Sequence, residues 1–528
     1  MTAVPGTGSL LRLALRRDRV LAPVVVLVLG GMAWSTAAAT VALYPDPSQV
    51  TSAAVAANAS PALVALYGPV HASLGSLAGL KMLSTGAVAV ALTAVFLLRR
   101  HTRTEEETGR VELLGAGVVS RHAPLTAALL HTTGVVVLAS AFTAVGYAAS
   151  GLPVAGSVAL GLAWLVAGIA FIGITAVAVQ LTSSGRTVAA VAGGGVAAAY
   201  LLRAVGDASG DGPAHVLVWL SPLGWAQEVR PYAGERWWVG LLALGFAAVM
   251  TALAYRLRNR RDLGSGLFAD RAGPAHTTMG TPLALAWRLQ RAAILGWSLA
   301  TVLMGAILGG FASNAASLLD SPQARDMIRS LGGTGSLTDA FIAAEFGIMA
   351  AVVAGFGIAA SLRLLGEESS TRAELTLSTA TSRWSWLMSH VSLALAGSAG
   401  ILALLGVGAS LADGATRGDL GESFTRVLPA ALVQVAPVWV VIAVAVLLYG
   451  SASRLAVGAW VVLAACLVIG QFGDLLHLPQ GLQDLSPFRH VPLLPGGTFD
   501  PTPVVGLVAL AGVLVLAGGT LFRRRDVH

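Results

Sequence analysis

Polar residues in this chain gather in short segments and leave between them twelve apolar runs, each near the roughly twenty residues a helix needs to cross a bilayer's hydrocarbon. The runs fall at about 20–43, 77–98, 124–149, 154–179, 187–202, 237–255, 292–311, 341–362, 387–411, 427–448, 455–472 and 504–522. They predict an all-α polytopic membrane protein with about 12 transmembrane helices. The fifth run is short and holds Gly193-Gly194-Gly195, but it occupies the place in its half that 455–472 holds in the other. The first run is too long for the apolar stretch of a cleaved signal peptide, and no small-residue cleavage pattern follows it, so it is expected to remain as a span.

The polar segments repeat as well. Glu105-Glu106-Glu107-Thr108-Gly109-Arg110-Val111-Glu112-Leu113, closing with Ser120-Arg121, returns 262 positions later as Glu367-Glu368-Ser369-Ser370-Thr371-Arg372-Ala373-Glu374-Leu375, closing with Ser382-Arg383. Leu11, Leu13, Ala14, Arg16 and Arg19 match Leu283, Leu285, Ala286, Arg288 and Arg291 at an offset of 272. Ser183 and Arg186 match Ser451 and Arg454 at 268, and Ser221-Pro222 matches Ser486-Pro487 at 265. Slowly drifting offsets are what two copies of one unit with unequal loops produce. Residues 1–257 and 283–528 are therefore each expected to form a six-helix unit. An even number of spans makes the two repeats parallel, related by an axis along the membrane normal. Residues 258–282, with Gly264, Gly266, Gly273, Gly280, Pro274 and Pro282, read as a flexible linker.

Composition agrees with the span pattern: 55% of residues are hydrophobic, 11% are charged, and the mean hydropathy is +0.76, far too apolar for one soluble core. The net charge of +7 does not point to nucleic acid, because the cations flank apolar runs and no basic face or nucleic-acid motif accompanies them. The single cysteine, Cys466, lies in an apolar run and reads as packing. With both termini placed in the cytoplasm, the inner segments hold 24 arginines and the outer loops eight, a strong positive-inside bias. The protein is thus expected in the plasma membrane, with both repeated acidic segments on the cytoplasmic side.

In the first copy, glutamates lie near a helix start, and Val111, Leu114 and Val118 are spaced for one apolar stripe, so a short amphipathic helix lying under the membrane is expected. A single copy would read as a solvated connector; two copies with the same charged spacing favour a docking surface presented twice. The stretches around Arg12–Arg19 and Leu283–Arg291 have Leu and Ala alternating with Arg just before a span and predict amphipathic helices at the interface. Trp219, Trp225, Trp237 and Trp238 read as interfacial anchors.

The pattern E-E-x-x-G-R-x-E-L-L ending in S-R resembles the segment after the second span of type-2 ATP-binding-cassette (ABC) exporter permeases. Ser221-Pro222-Leu223-Gly224-Trp225, Arg230-Pro231-Tyr232-Ala233-Gly234-Glu235-Arg236-Trp237-Trp238 and Arg260-Arg261-Asp262-Leu263-Gly264 resemble the fused two-unit actinobacterial branch of that family, the polyketide and multidrug exporters. The resemblance implies a membrane subunit that moves a hydrophobic or amphipathic, drug-like compound outward. It implies a separate ATP-binding-cassette ATPase subunit, in two copies, that carries the ATP and Mg. Glu105, Glu106, Arg110, Glu112, Glu367, Glu368, Arg372 and Glu374 would lie at the ATPase contact, in coupling helices. The presegments would be elbow helices, and 221–238 and 486–495 partly re-entrant caps over the exit. The second copy departs from the pattern at Thr371, in place of the glycine, and at Thr376, in place of the second leucine.

The chain itself shows no means of hydrolysing ATP. Lys81 is its one lysine, and the Leu77-Ala78-Gly79-Leu80 before it is no phosphate-binding loop. No His-Glu-x-x-His motif or Cys/His cluster points to a catalytic metal. Asp207 and Asp211 read as solvated carboxylates rather than a cation site. Lys81 and Glu345 are the charges most clearly inside apolar runs, in repeat-equivalent spans and about half a turn apart in register. An ion in hydrocarbon costs several kcal/mol unless paired or wet, so a Lys81–Glu345 charge pair is one expectation and separate snorkelling the other. Two other functions fit six-plus-six spans: an ion-coupled carrier of the major facilitator type, and a non-transporting membrane scaffold. The glutamate-led loop after the second span argues against the carrier, whose loop is typically rich in Gly, Asp and Arg.

Overall fold

A helix satisfies its own backbone polar groups, which is why apolar runs of this length become helices in lipid. The computed structural model describes residues 4–59, 61–115, 117–210, 212–262, 264–268, 280–318, 337–472 and 479–526. Every regular element among them is helical. Contacts divide the chain into two compact units, Met1–Gly273 and Pro274–His528.

The first unit begins with α1 (Thr7–Arg17) and the first span α2 (Leu21–Leu43). Two short helices, α3 (Pro47–Asn58) and α4 (Pro61–Tyr67), lead to the second span, built of α5 (Leu74–Lys81), a π-helical turn (Met82–Gly86) and α6 (Ala87–Arg100). The acidic segment follows as α7 (Arg103–Glu107) and α8 (Arg110–Gly115). Spans α9 (Ala123–Ala149), α10 (Val154–Leu181) and α11 (Gly185–Ala208) come next, then short α12 (Val216–Trp219) and α13 (Pro222–Glu228), then α14 (Trp238–Arg258).

The second unit runs α15 (Pro282–Leu318), α16 (Leu337–Ser361), the acidic segment as α17 (Arg363–Ser369) and α18 (Arg372–Leu377), and α19 (Arg383–Arg417). It continues with α20 (Leu420–Leu432) and α21 (Val435–Ser451), α22 (Gly458–Phe472), short α23 (Gln480–Gln483) and α24 (Pro501–Arg524). Among the described residues, eleven helical stretches are long and apolar enough to cross a membrane, not twelve. The run expected at 455–472 forms α22, which at 15 residues is shorter than a span; residues 473–478 lie outside those described.

Both units bury the same span most deeply. Of the most apolar stretch of α10, 78% is buried, and of that over α20 and α21, 67%, the highest share of any span in each unit, so the fourth span is the hub of each repeat. Around α10 pack α6, α9 and α14. Trp164 of α10 fills the space beside Gly86, where a Cβ would sit 2.0 Å from its ring. Its indole N–H donates to the Met82 carbonyl at 2.8 Å, giving a partner to an acceptor at the start of the π-turn. In the second unit α15 lies directly on α19: a Cβ at Gly305 would meet the Leu405 carbonyl at 2.1 Å, and one at Gly309 the Ala409 carbonyl at 2.1 Å. Small residues four apart permit this backbone contact between spans.

Prolines account for two differences between the units. Pro23 cannot donate to the Arg19 carbonyl, and the first helix breaks at Asp18 before α2 begins. The second unit has no proline there, and its expected elbow, 283–291, is instead continuous with the seventh span in the 37-residue α15. Pro437 likewise cannot donate to the Val433 carbonyl, and the tenth span divides there into α20 and α21. The start of the expected linker is not loose. Leu267 and Phe268 donate backbone N–H bonds to Gln180 and Leu181 at 3.1 and 2.9 Å, fastening the chain to the end of α10. Residues 269–279 of the linker lie outside those described.

Candidate functional site

The expected amphipathic helix is two short helices in each unit. In the first, α7 and α8 meet at Gly109, whose φ of 70° lies in the left-handed region; in the second, α17 and α18 meet at Thr371, φ 58°. The same bend is therefore kept where the glycine is lost, at a steric cost that a β-branched residue meets in this region. The anticipated stripe does not run from Val111 to Val118, and the side chain of Leu114 between them lies outside the described residues. Val111 is buried, but α8 ends at Gly115 and Val118 is 94% exposed.

Within each acidic pair, the second glutamate turns inward. Glu106 is buried, and its carboxylate accepts hydrogen bonds from Arg103 at 2.5 Å and from Arg261 at 2.8 and 3.0 Å, with Arg258 at 3.6 Å. Arg103 also donates to the Val179 and Ser265 carbonyls, and Arg261 to the Gln180 side chain at 2.7 Å. One carboxylate among three buried guanidiniums thus joins α7 to the ends of α10 and α14. Glu368 is the counterpart: Tyr449 donates to it at 2.7 Å and Arg525, just past α24, at 2.7 and 2.8 Å. In both units an arginine at the end of the sixth span closes on the same glutamate. These two glutamates were expected at a contact with another chain, but their carboxylates are enclosed within their own unit.

The repeated S-R has a structural role too. Arg121 donates to the Arg258 carbonyl at 2.9 Å and to that of Arg261, and Arg383 donates to the Arg523 and Arg525 carbonyls at 3.3 and 2.6 Å. Each cation caps the last carbonyls of the sixth span, where the helix dipole favours positive charge. Glu107 accepts the Gly185 N–H at 2.7 Å and so caps the start of α11.

The remaining residues of the segments face outward. Glu105 is half-buried and pairs with Arg17 at 2.5 Å and more loosely with Arg110 at 3.7 Å, while the Arg110 side chain is 56% exposed. Glu112, Arg372 and Glu374 are exposed, and Glu367 is half-buried. Leu375 beside Glu374 is 74% exposed. Each unit therefore presents an exposed Arg–Glu pair with a bare apolar side chain close by in sequence, on a buried acid–base anchor. Cations, anions and apolar surface presented together suit a protein partner better than a small ligand.

The sequence of nearly the whole molecule is matched by a known protein. The multidrug efflux system permease protein Rv1217c of Mycobacterium tuberculosis is 44% identical, over 99% of this chain and 95% of that protein. The family model of the multidrug efflux system permease Rv1217c C-terminal domain matches residues 279–523. The chain belongs to this family of multidrug efflux permeases. The matched C-terminal region lies within the permease's second unit and contains α17, α18 and their anchor Glu368.

The intramembrane charges sit in unlike settings in the permease. Lys81 is exposed at the end of α5, directly before the π-turn, whereas Glu345 is half-buried within the regular helix α16. A π-turn holds one more residue than an α-turn, so Lys81 is structurally equivalent to position 344, one residue from Glu345 rather than two.

Several buried polar groups were not foreseen from the sequence. The carbonyls of Ala65, Leu66 and Tyr67 at the end of α4 accept from Arg203, Tyr200, Ser84 and Gln227, which holds that short helix against α11 and α13. Asp207, expected to be solvated, is buried and pairs with Arg203 at 3.3 Å; Asp211 lies outside the described residues. Trp225, expected as an interfacial anchor, is buried and donates to the Trp219 carbonyl at 2.6 Å, while Trp237 and Trp238 stay exposed. Asp18, His101 and His131 also form a buried cluster. Their positions in the sequence, well apart and in different elements, gave no spacing signal.

Proposed function

We propose that this permease is the membrane subunit of an ABC exporter. It carries a hydrophobic or amphipathic, drug-like compound outward, driven by ATP and Mg bound to a separate ATPase. Two ATPase copies engage the two units, one at Arg110 and Glu112 and one at Arg372 and Glu374, with Glu105 and Glu367 at the margins. The arginine-rich ends of the spans and both termini then face the cytoplasm, and the spans cross the plasma membrane. The observation that carries this reading is the pairing of exposed charged tips with buried anchors in both units of a chain that belongs to an efflux-permease family.

The anchors supply the mechanics. A load on α8 or α18 passes through Glu106 or Glu368 to the inner end of the sixth span without bending a loop, because buried, charge-assisted hydrogen bonds are short and directional. Within the same reading, Lys81 and Glu345 form a charge pair between the second and eighth spans, a lock that must open during transport. Their near-equivalence across the repeat supports it. Loss of efflux in Lys81→Glu, recovered by adding Glu345→Lys, is the expected result; no recovery removes the pair.

Co-purification with the ATPase tests the docking surface. Wild-type permease is expected to retain two ATPase chains, while Glu112→Arg with Glu374→Arg is expected to retain fewer with an unchanged melting temperature. Full retention of the ATPase by a folded double variant contradicts the contact.

A further inference from the structure

At the arginine-rich end of the first unit, three side chains from three elements meet at a buried point. Asp18 comes from the break between α1 and α2, His101 from the end of the second span, and His131 from α9. The Asp18 and His131 side chains are fully buried and that of His101 is 5% exposed. Nε2 of His101 lies 2.6 Å and Nε2 of His131 3.0 Å from the same oxygen, Oδ2 of Asp18, and the three ligand atoms fall within 4.8 Å of one another. The other oxygen, Oδ1, accepts from Arg100 Nε at 3.1 Å; the Arg100 side chain is 35% exposed and forms the solvent edge of the cluster.

We infer that Asp18, His101 and His131 bind a divalent transition-metal ion of the zinc class. Two imidazole nitrogens and a carboxylate oxygen are a typical three-ligand set for zinc, with bonds of about 2.0–2.2 Å and a fourth position left for water. Tetrahedral bonds of that length put ligand atoms about 3.3 Å apart, so the His131 ring must draw back from Oδ2 by about 0.3 Å and the His101 ring by about 0.7 Å. The second unit shows that the fold does not itself demand this set. At the repeat offsets, Gln290 stands for Asp18 and Arg363 for His101. There the first helix is tied to the third span by one neutral bond, Gln290 Nε2 to His390 Nδ1 at 3.0 Å, also buried. An amide and one imidazole are enough for packing, whereas the first unit gathers three ligands. A bound ion would clasp the first helix, the stem of the acidic segment and the third span together. Entry is past Arg100, whose guanidinium competes with the ion for Asp18.

The test uses the full-length permease in detergent, without ATPase or cargo, so its outcome is independent of the transport reading. The metal-stripped protein is given Zn2+ alone, desalted, and assayed for bound metal, for melting temperature and, with Co2+ in place of zinc, for visible absorption. About one zinc per chain, a raised melting temperature and intense four-coordinate cobalt bands are expected. His131→Gln, Asp18→Asn and His101→Gln each lower affinity more than about tenfold. His390→Gln in the second unit leaves it unchanged. Arg100→Ala tightens it by roughly tenfold, because a competing charged partner of Asp18 is gone. His131→Gln keeps a neutral side-chain N–H that can donate to Asp18 in place of the imidazole and is the variant expected to stay folded. Zinc retention by wild type no greater than by His131→Gln, a zinc-insensitive wild-type melting temperature, or an equal loss in His390→Gln overturns the site.

Discussion

Two glutamates six residues apart in one segment have opposite surroundings. Glu106 lies among three arginines, so Glu106→Ala strands three buried cations and is expected to destabilise the first unit by about 3–5 kcal/mol, read as a lowered thermal or denaturant midpoint. Glu112 is exposed, and Glu112→Arg is expected to leave stability within about 0.5 kcal/mol. Equal destabilisation by the two variants would refute the division between anchor and tip. The repeated spacing in the sequence singles out all eight of these charged positions but cannot sort them. What sorts them is distance along the chain: Glu368 finds Tyr449 and Arg525 at separations of 81 and 157 residues, and Glu106 finds Arg261 at 155. The Asp18 cluster was hidden for the same reason. Its carboxylate is held ionised below its usual range: burial opposes the charge, but hydrogen bonds and charge from His101, then His131 and Arg100, outweigh that.

Helix existence was legible in the apolar runs, and helix interruptions were not, because one proline or one steric bend decides each. Pro23 separates α1 from α2, while its absence in the second unit leaves α15 unbroken. Thr371 stood out in the sequence as a departure from the pattern of the first copy; its physical meaning is a left-handed bend occupied by a β-branched residue. Thr371→Gly is expected to stabilise the second unit by up to about 1–2 kcal/mol with the bend retained, measured by thermal unfolding. A loss of stability would show that the threonine side chain does more than strain the turn. The contact between α15 and α19 makes a sharper demand. Gly305→Val drives a side chain into the Leu405 carbonyl and is expected to cost about 2–4 kcal/mol or to abolish folding of the unit. An unchanged unfolding midpoint would contradict that close approach.

At the scale of the molecule, the duplication shows most plainly in what each unit buries: the fourth span as hub and the second glutamate as anchor to the sixth span. Parallel repeats put equivalent segments on one side of the membrane, so cysteines introduced at Thr108 and Ser370 are expected to react with an impermeant maleimide from the same side, and one at Ala214 from the other. The native Cys466 is buried and contributes little background. Labelling of positions 108 and 370 from opposite sides would end the parallel-repeat account. In the proposed reading both segments lie at the cytoplasmic face and are the points where an external motor would do work on the spans. That claim is tested most directly by ATP-dependent efflux from proteoliposomes holding the permease and its ATPase. Robust efflux by wild type and loss of at least about tenfold in Glu112→Arg with Glu374→Arg, at equal melting temperature, is the result the account predicts; undiminished ATP-driven efflux in that double variant contradicts it.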